Sequence, residues 1–292
     1  MSDQNALLLN QLVGQTDLLV QVARYSAGRL DQALQLDLAR YWADELTKPR
    51  NADPRRLVRF GFKVFSQCDE DGIIQEIFRR VGTTNRTFIE FGVEAGVECN
   101  TVKLLLDGWR GLWLDGTATN IANIRTNFSA FFDDGRLQAL EAFINAESIN
   151  SLFEKAGISG NIDLLSIDID GNDYWVWKAI EVVQPRVVVI EYNAALRPPL
   201  SLVVPYDPKA RWNGSSYFGA SLEALVRLGR EKGYRLVGCS FSGANAFFVK
   251  DEVAGTHFLD PATAEEHYEP SRYFFSALTS GHPPQPGPFV SV

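Results

Sequence analysis

Histidine, cysteine and long apolar runs are all scarce in this chain of 292 residues. The three histidines, His257, His267 and His282, lie beyond the last strand the sequence predicts. A histidine-based triad therefore has no partner in the core, which disfavours a hydrolase and leaves carboxylates as the available general bases. The three cysteines, Cys68, Cys99 and Cys239, contain no CxxC pair. They offer neither a disulfide framework nor a zinc site, and they fit a reducing compartment. No stretch approaches the roughly 18 apolar residues of a membrane span. The amino-terminal stretch has no basic segment ahead of an apolar core, Leu7 to Leu9 being interrupted by Asn10 and Gln11, so a cytoplasmic location is expected. Positive charge is also in deficit, 28 Lys and Arg against 36 Asp and Glu for a net −8. That balance disfavours a nucleic-acid partner, which needs clustered cations to displace counterions. The basic run of Arg50, Arg55, Arg56 and Arg59 reads as a solvated linker.

What the chain does have is a 46% apolar content with ample aromatics, enough for one large α/β domain plus additional elements. Leu8, Leu12, Leu19 and Val22, then Leu30, Leu34, Leu38 and Trp42, recur at helical spacing. They predict two helices broken near Gly28, with Asp31 capping the second. Such a pair would be either a packed appendage or an oligomerisation surface. Residues 1–56 are read as this extension and a Pro-bearing linker. Residues 57–259 alternate short β-rich runs with helical ones, which predicts βαβ crossovers and a mostly parallel sheet. The predicted strands are 87–93, 111–114, 137–143, 163–169 and 186–192, followed by a hairpin of 234–239 and 245–250. Helices are predicted at 69–80, 100–106, 148–156, 174–183 and 221–232. Residues 260–292 read as an irregular tail.

Acids gather at the predicted strand ends, where ligands bind in a doubly wound sheet. In Phe88-Ile-Glu-Phe-Gly-Val-Glu-Ala-Gly96, Glu90 ends a strand, and Gly92 and Gly96 suit a turn in which backbone approaches a cofactor closely. The acid fits a ligand with a cationic amino group, although a tight turn with a solvated Glu would look the same. A dinucleotide fingerprint would need a glycine where Glu94 stands, and that carboxylate would repel a pyrophosphate. In Gly111-Leu-Trp-Leu-Asp115-Gly116, Asp115 is placed to accept both ribose hydroxyls of an adenosyl group, a device NAD enzymes share.

Leu164-Leu-Ser-Ile-Asp168-Ile-Asp170-Gly-Asn-Asp173 carries three acids within six positions. If the strand runs through residue 170, Asp168 and Asp170 share one face, and like charges that close raise a pKa or demand a cation. Glu191 and Asn193, after Val187-Val-Val-Ile190, would complete an oxygen-rich pocket for Mg²⁺ or Ca²⁺, or hydrogen-bond a hydroxylated substrate directly. The long connection 194–220, with Tyr206, Asp207, Trp212, Tyr217 and Phe218, reads as a lid or acceptor loop suited to a sugar ring.

At these residues the sequence resembles the FkbM-type S-adenosylmethionine (SAM)-dependent O-methyltransferases, over roughly Ser66 to Lys250. The likeness rests on Ser66-Gln-Cys-Asp-Glu-Asp-Gly72, on the Glu90 motif and on Ser166-Ile-Asp-Ile-Asp-Gly171, where Asp170 stands for the family's usual Glu. It implies a Rossmann-like class I methyltransferase fold with a C-terminal antiparallel hairpin strand. SAM would be held by Glu90, Gly92, Glu94, Gly96, Asp115 and Asp168, with Glu141 or Phe143 at the adenine. Asp168, Asp170 or Glu191 would serve the chemistry, and Asn193, Tyr206, Asp207, Trp212 and Tyr217 the acceptor. A weaker similarity to Mg²⁺-using macrolide sugar O-methyltransferases implies metal-ligand roles for Asp170, Glu191 and Asn193. The expected activity is O-methylation of a sugar or glycoside, in bacterial cell-surface polysaccharide or secondary-metabolite biosynthesis. Two rivals stand beside it: a SAM- or sugar-binding module without turnover, and an NAD-dependent oxidoreductase.

Overall fold

The structure, a computed structural model, describes residues 2–273, 282–283 and 285–292, with side chains from Thr16 onward except that of Leu18. Two compact units divide the chain, residues 1–52 and 53–292.

The first unit is dominated by one helix, α1 (Ser2–Thr47). The predicted break near Gly28 and the Asp31 cap are both absent. A glycine costs a helix interior only about 1 kcal/mol, open space surrounds Gly28, and no proline occurs before Pro49. Helical bonding therefore runs straight through. Pro49 then starts a short 3₁₀ turn. Among the described side chains, Leu19, Tyr25 and Leu30 are about 70% exposed.

In the second unit, α2 (Glu70–Val81), β1 (Thr87–Phe91), α3 (Val102–Leu106), β2 (Arg110–Asp115), α4 (Ala118–Asn127), α5 (Ser129–Asp133) and β3 (Leu137–Glu141) come first. Then follow α6 (Ile149–Lys155), β4 (Gly160–Ile167), α7 (Asp173–Ala179), β5 (Val183–Glu191), β6 (Leu202–Val203), α8 (Leu222–Glu231), β7 (Tyr234–Cys239) and β8 (Asn245–Lys250). Two short helices, α9 (Asp251–Ala254) and α10 (Ala264–His267), and β9 (Val290–Ser291) complete it. The main sheet has the order β3-β2-β1-β4-β5-β8-β7. Its first five strands are parallel, and β8 and β7 are antiparallel. This is the mostly parallel, Rossmann-like sheet with a C-terminal antiparallel hairpin expected from the sequence.

Both faces of the sheet are covered. Ile89, Phe91, Leu165, Ile167, Val188 and Ile190 enter one apolar core, and Phe88, Leu164, Val187, Val189 and Phe247 the other. Two-sided burial explains the unbroken apolar strands, since alternation is needed only where one face meets water.

Local departures from expectation have physical causes. Pro185 lies inside β5 rather than ahead of it, and α7 stops at Ala179 instead of reaching residue 183. Pairing of β5 with β8 begins only at Val187, so the missing proline N–H faces no ladder partner on that side. Helices α4 and α5 occupy a stretch in which no element was predicted. Thr117 opens α4, its hydroxyl accepting the Asn120 N–H. The tail contains α10, and β9 pairs antiparallel with β6. Among the described residues, no helix is long and apolar enough to cross a membrane.

Candidate active site

The ends of β1, β2 and β4 and the turns that follow them share one edge of the sheet, and there, with Gln67, Trp212 and Asn245, they enclose a cleft of about 350 Å³. Gly92 sets the first turn. Its φ is +74°, and a Cβ there would lie 1.6 Å from the Asp168 carbonyl oxygen. The glycine is thus required by the approach of one turn to another. Glu94 follows with φ +47° and Asp170 has φ +56°, a left-handed conformation that costs a non-glycine residue about 1–3 kcal/mol and clusters at functional sites. Glu94 is held there by donating its N–H to Asp115 Oδ2 at 3.0 Å. The Asp170 turn is held by Asp173, whose two carboxylate oxygens accept from the Ile169 and Gly171 amides. Since β4 ends at Ile167, it is this turn, and not a shared strand face, that brings Asp168 and Asp170 together.

Asp168, Asp170 and Glu191 each present a carboxylate oxygen within 4.8 Å of the others. Glu94, Glu98, Asp115 and Glu90 also line the cleft, and among the described residues no lysine, arginine or histidine does. Lys63 at the rim pairs with Glu98. Burial, and then the charge of neighbouring acids, holds the carboxyls of Asp168 and Glu191 well above the usual range. Asp170 is raised by burial and by Glu94, and burial lifts Asp173 to about 6. Glu191 Oε2 is buried with no hydrogen-bond donor. Such a group ionises readily only when a cation or a strong donor enters.

Of the residues expected to hold a cofactor, Glu90, Gly92, Glu94, Asp115 and Asp168 line this cleft. Glu90 also supports the wall: it accepts from the Asn100 and Thr101 amides and from the Thr101 and Ser166 hydroxyls. Gly96, Glu141 and Phe143 are not part of the lining. Gly96 makes room for the Phe128 and Trp113 rings, and Phe143 carries the Arg211 guanidinium 5.1 Å from its ring centre. Among the expected acceptor residues, Trp212 alone lines the cleft. Tyr206 bonds to Glu147 and the Ala146 amide, Asp207 accepts from the Lys209 amide, and the Tyr217 hydroxyl is donated to the Pro288 carbonyl. Asn193 is spent on structure. Its Nδ2 donates to the Ser216 and Phe218 carbonyls and its Oδ1 accepts from the Ala195 amide.

Gln67, Asn100 and Asn245 line the cleft without having been singled out. Gln67 lies within Ser66–Gly72, and the acids of that motif hold loops: Asp69 accepts from the Phe241 amide, Glu70 from Cys68, and Asp71 from Val64, Phe65 and Ser66. The tail contributes too. His282 packs 4.7 Å from the Trp212 ring and 4.9 Å from Tyr273.

Fold and cleft together define an α/β protein with a carboxylate-lined cleft at the carboxyl edge of its sheet. No protein-family model and no curated protein matches the chain. Among solved structures, an O-methyltransferase from Bacillus cereus in complex with SAH aligns over 75% of this chain and 91% of its own, at 14% identity and a TM-score of 0.42. A SAM-dependent methyltransferase from Clostridium acetobutylicum aligns over 73% and 99%, at 11% identity and a TM-score of 0.40. At these scores nothing about the chain's chemistry follows from either.

Proposed function

We propose that the chain is a SAM-dependent O-methyltransferase acting on a hydroxyl of a sugar or glycoside, in cell-surface polysaccharide or secondary-metabolite biosynthesis. The observation that carries this reading is the cleft lining, with six carboxylate side chains and no cationic one. Such a lining attracts a ligand bearing positive charge, and SAM has both a sulfonium and an ammonium. A dinucleotide would set its pyrophosphate against Glu90 and Glu94, which argues against NAD. Asp115 ends β2, and its Oδ2 accepts only the Glu94 amide among protein donors, leaving capacity for ribose hydroxyls.

SAM supplies an electrophilic methyl group when bound. The chain's part is alignment and proton removal. Asp168 or Asp170, whose raised pKa makes it a better base than an ordinary carboxylate, takes the acceptor's hydroxyl proton as the carbon–oxygen bond forms and the carbon–sulfur bond breaks. Trp212 offers an apolar face to a sugar ring. The crowded carboxylates and the unpartnered Glu191 Oε2 also suit a divalent cation such as Mg²⁺, which Asp168, Asp170 and Glu191 would hold and which would lower the pKa of a nearby hydroxyl.

Calorimetry with SAH, SAM and NAD, together with radiolabelled methyl transfer to a cell-envelope sugar extract, tests the proposal. SAH should bind and NAD should not. Asp170→Asn should keep SAH affinity within about threefold and lose on the order of 100-fold in transfer. NAD binding without SAH binding would favour the oxidoreductase. SAH binding with no transfer to any acceptor fraction would leave a binding module.

A further inference from the structure

We infer that Asn245 is the neutral ligand of a divalent-cation site whose charged ligands are Asp168, Asp170 and Glu191. The inference rests on reading those carboxylates as a cation site, and it adds a residue that no sequence motif marks.

Asn245 is the first residue of β8, 3% exposed, and it lines the cleft alongside Asp168 and Asp170. Its register partner on β5 is Glu191. Directly opposed residues on antiparallel strands leave the sheet on the same face, with Cβ atoms about 4.5–5.5 Å apart. Asn245 therefore stands beside the carboxylate cluster. Its orientation is set from behind: Nδ2 donates to Glu70 Oε1 at 3.2 Å, and Glu70 is itself fixed by the Cys68 amide. A carboxylate only accepts, so the amide nitrogen must face Glu70 and the amide oxygen must turn away from it.

That oxygen, Asn245 Oδ1, is buried and has no donor among the described residues, and the same is true of Glu191 Oε2. Orphaned acceptors on two paired positions, beside two more carboxylates, leave several oxygens to be satisfied together. A hard divalent cation satisfies all of them at once, because it takes carboxylate and amide carbonyl oxygens together. Glu70 then acts as the outer residue that orients a ligand, as carboxylates commonly do around metal sites.

The probe is Mn²⁺ alone, followed by loss of its free-ion electron paramagnetic resonance signal and by calorimetry on the full chain, with Mg²⁺ competition. Wild type should bind one ion. Asn245→Leu should weaken binding at least tenfold, and the exchanged pair Glu70→Gln with Asn245→Asp, which restores the hydrogen bond with its donor reversed, should bind at least as tightly as wild type. If wild type binds no Mn²⁺, the cation reading of the carboxylates falls and Asn245 with it. If wild type binds but Asn245→Leu binds equally well, or the exchanged pair loses tenfold, the assignment of Asn245 is overturned while the carboxylate site stands. Thermal unfolding of each variant identifies a misfolded protein, and where Asn245→Leu misfolds the exchanged pair decides the matter by itself.

Discussion

Four donors converge on the carboxylate of Glu90: two amides and the hydroxyls of Thr101 and Ser166. Glu90→Gln would turn an amide NH₂ toward donors and should cost about 1–3 kcal/mol near pH 5, read as a lowered unfolding midpoint. Burial lifts the Glu90 carboxyl from 4.5 to about 7. Between those values the folded chain keeps a proton that the unfolded chain has released, so stability falls as pH rises through that window. Glu90→Gln lacks this contribution. The wild type's advantage over it should therefore shrink from about pH 5 to about pH 8, and an advantage that grows would show that the donors around Glu90 outweigh its burial. The sequence singled out Glu90 and Gly92, and both line the cleft. It could not tell that Gly92 accommodates Asp168 or that Asn193 is consumed by its own loop, because those reasons involve residues far away along the chain.

At the level of elements, strands were legible where apolar residues ran together, as in β4, β5, β7 and β8. Helix α8 was legible from its Ser221 cap, whose hydroxyl accepts the Ala224 amide. Helices α4 and α5 were not, since only Ile121 and Ile124 of their side chains are buried and a two-residue stripe gives almost no period. Gly28 misled in the other direction, because a glycine weakens a helix without ending it. Gly28→Ala should raise local helix stability by about 0.5–1 kcal/mol, seen as slower amide hydrogen exchange around residue 28. Unchanged or faster exchange there would mean that α1 is interrupted after all.

Across the whole molecule, the tail and the 194–220 connection are tied together. Tyr217 donates to Pro288, the Ser216 amide to Pro283, and Asn213 to Gln285, while β9 pairs with β6. Deleting residues 282–292 should free this connection, so that limited proteolysis cuts near residues 205–215 faster than in the full chain, with SAH affinity largely kept. Equal cleavage rates would show that the connection is held by its own contacts, such as the Asn172 bond to the Asp207 carbonyl.

Alternating apolar runs and helical periods, read from the sequence alone, determined a doubly wound sheet ending in an antiparallel hairpin, and strand-end acids determined which edge would bear charge. Both are local properties, set by neighbours a few residues apart. Only the tertiary structure decided which acids face one another, that Asn245 joins Glu191, and that His282 returns to Trp212. Those pairings depend on strand register, left-handed turns and the path of long connections, and the free energy that selects them belongs to contacts between residues distant in the chain.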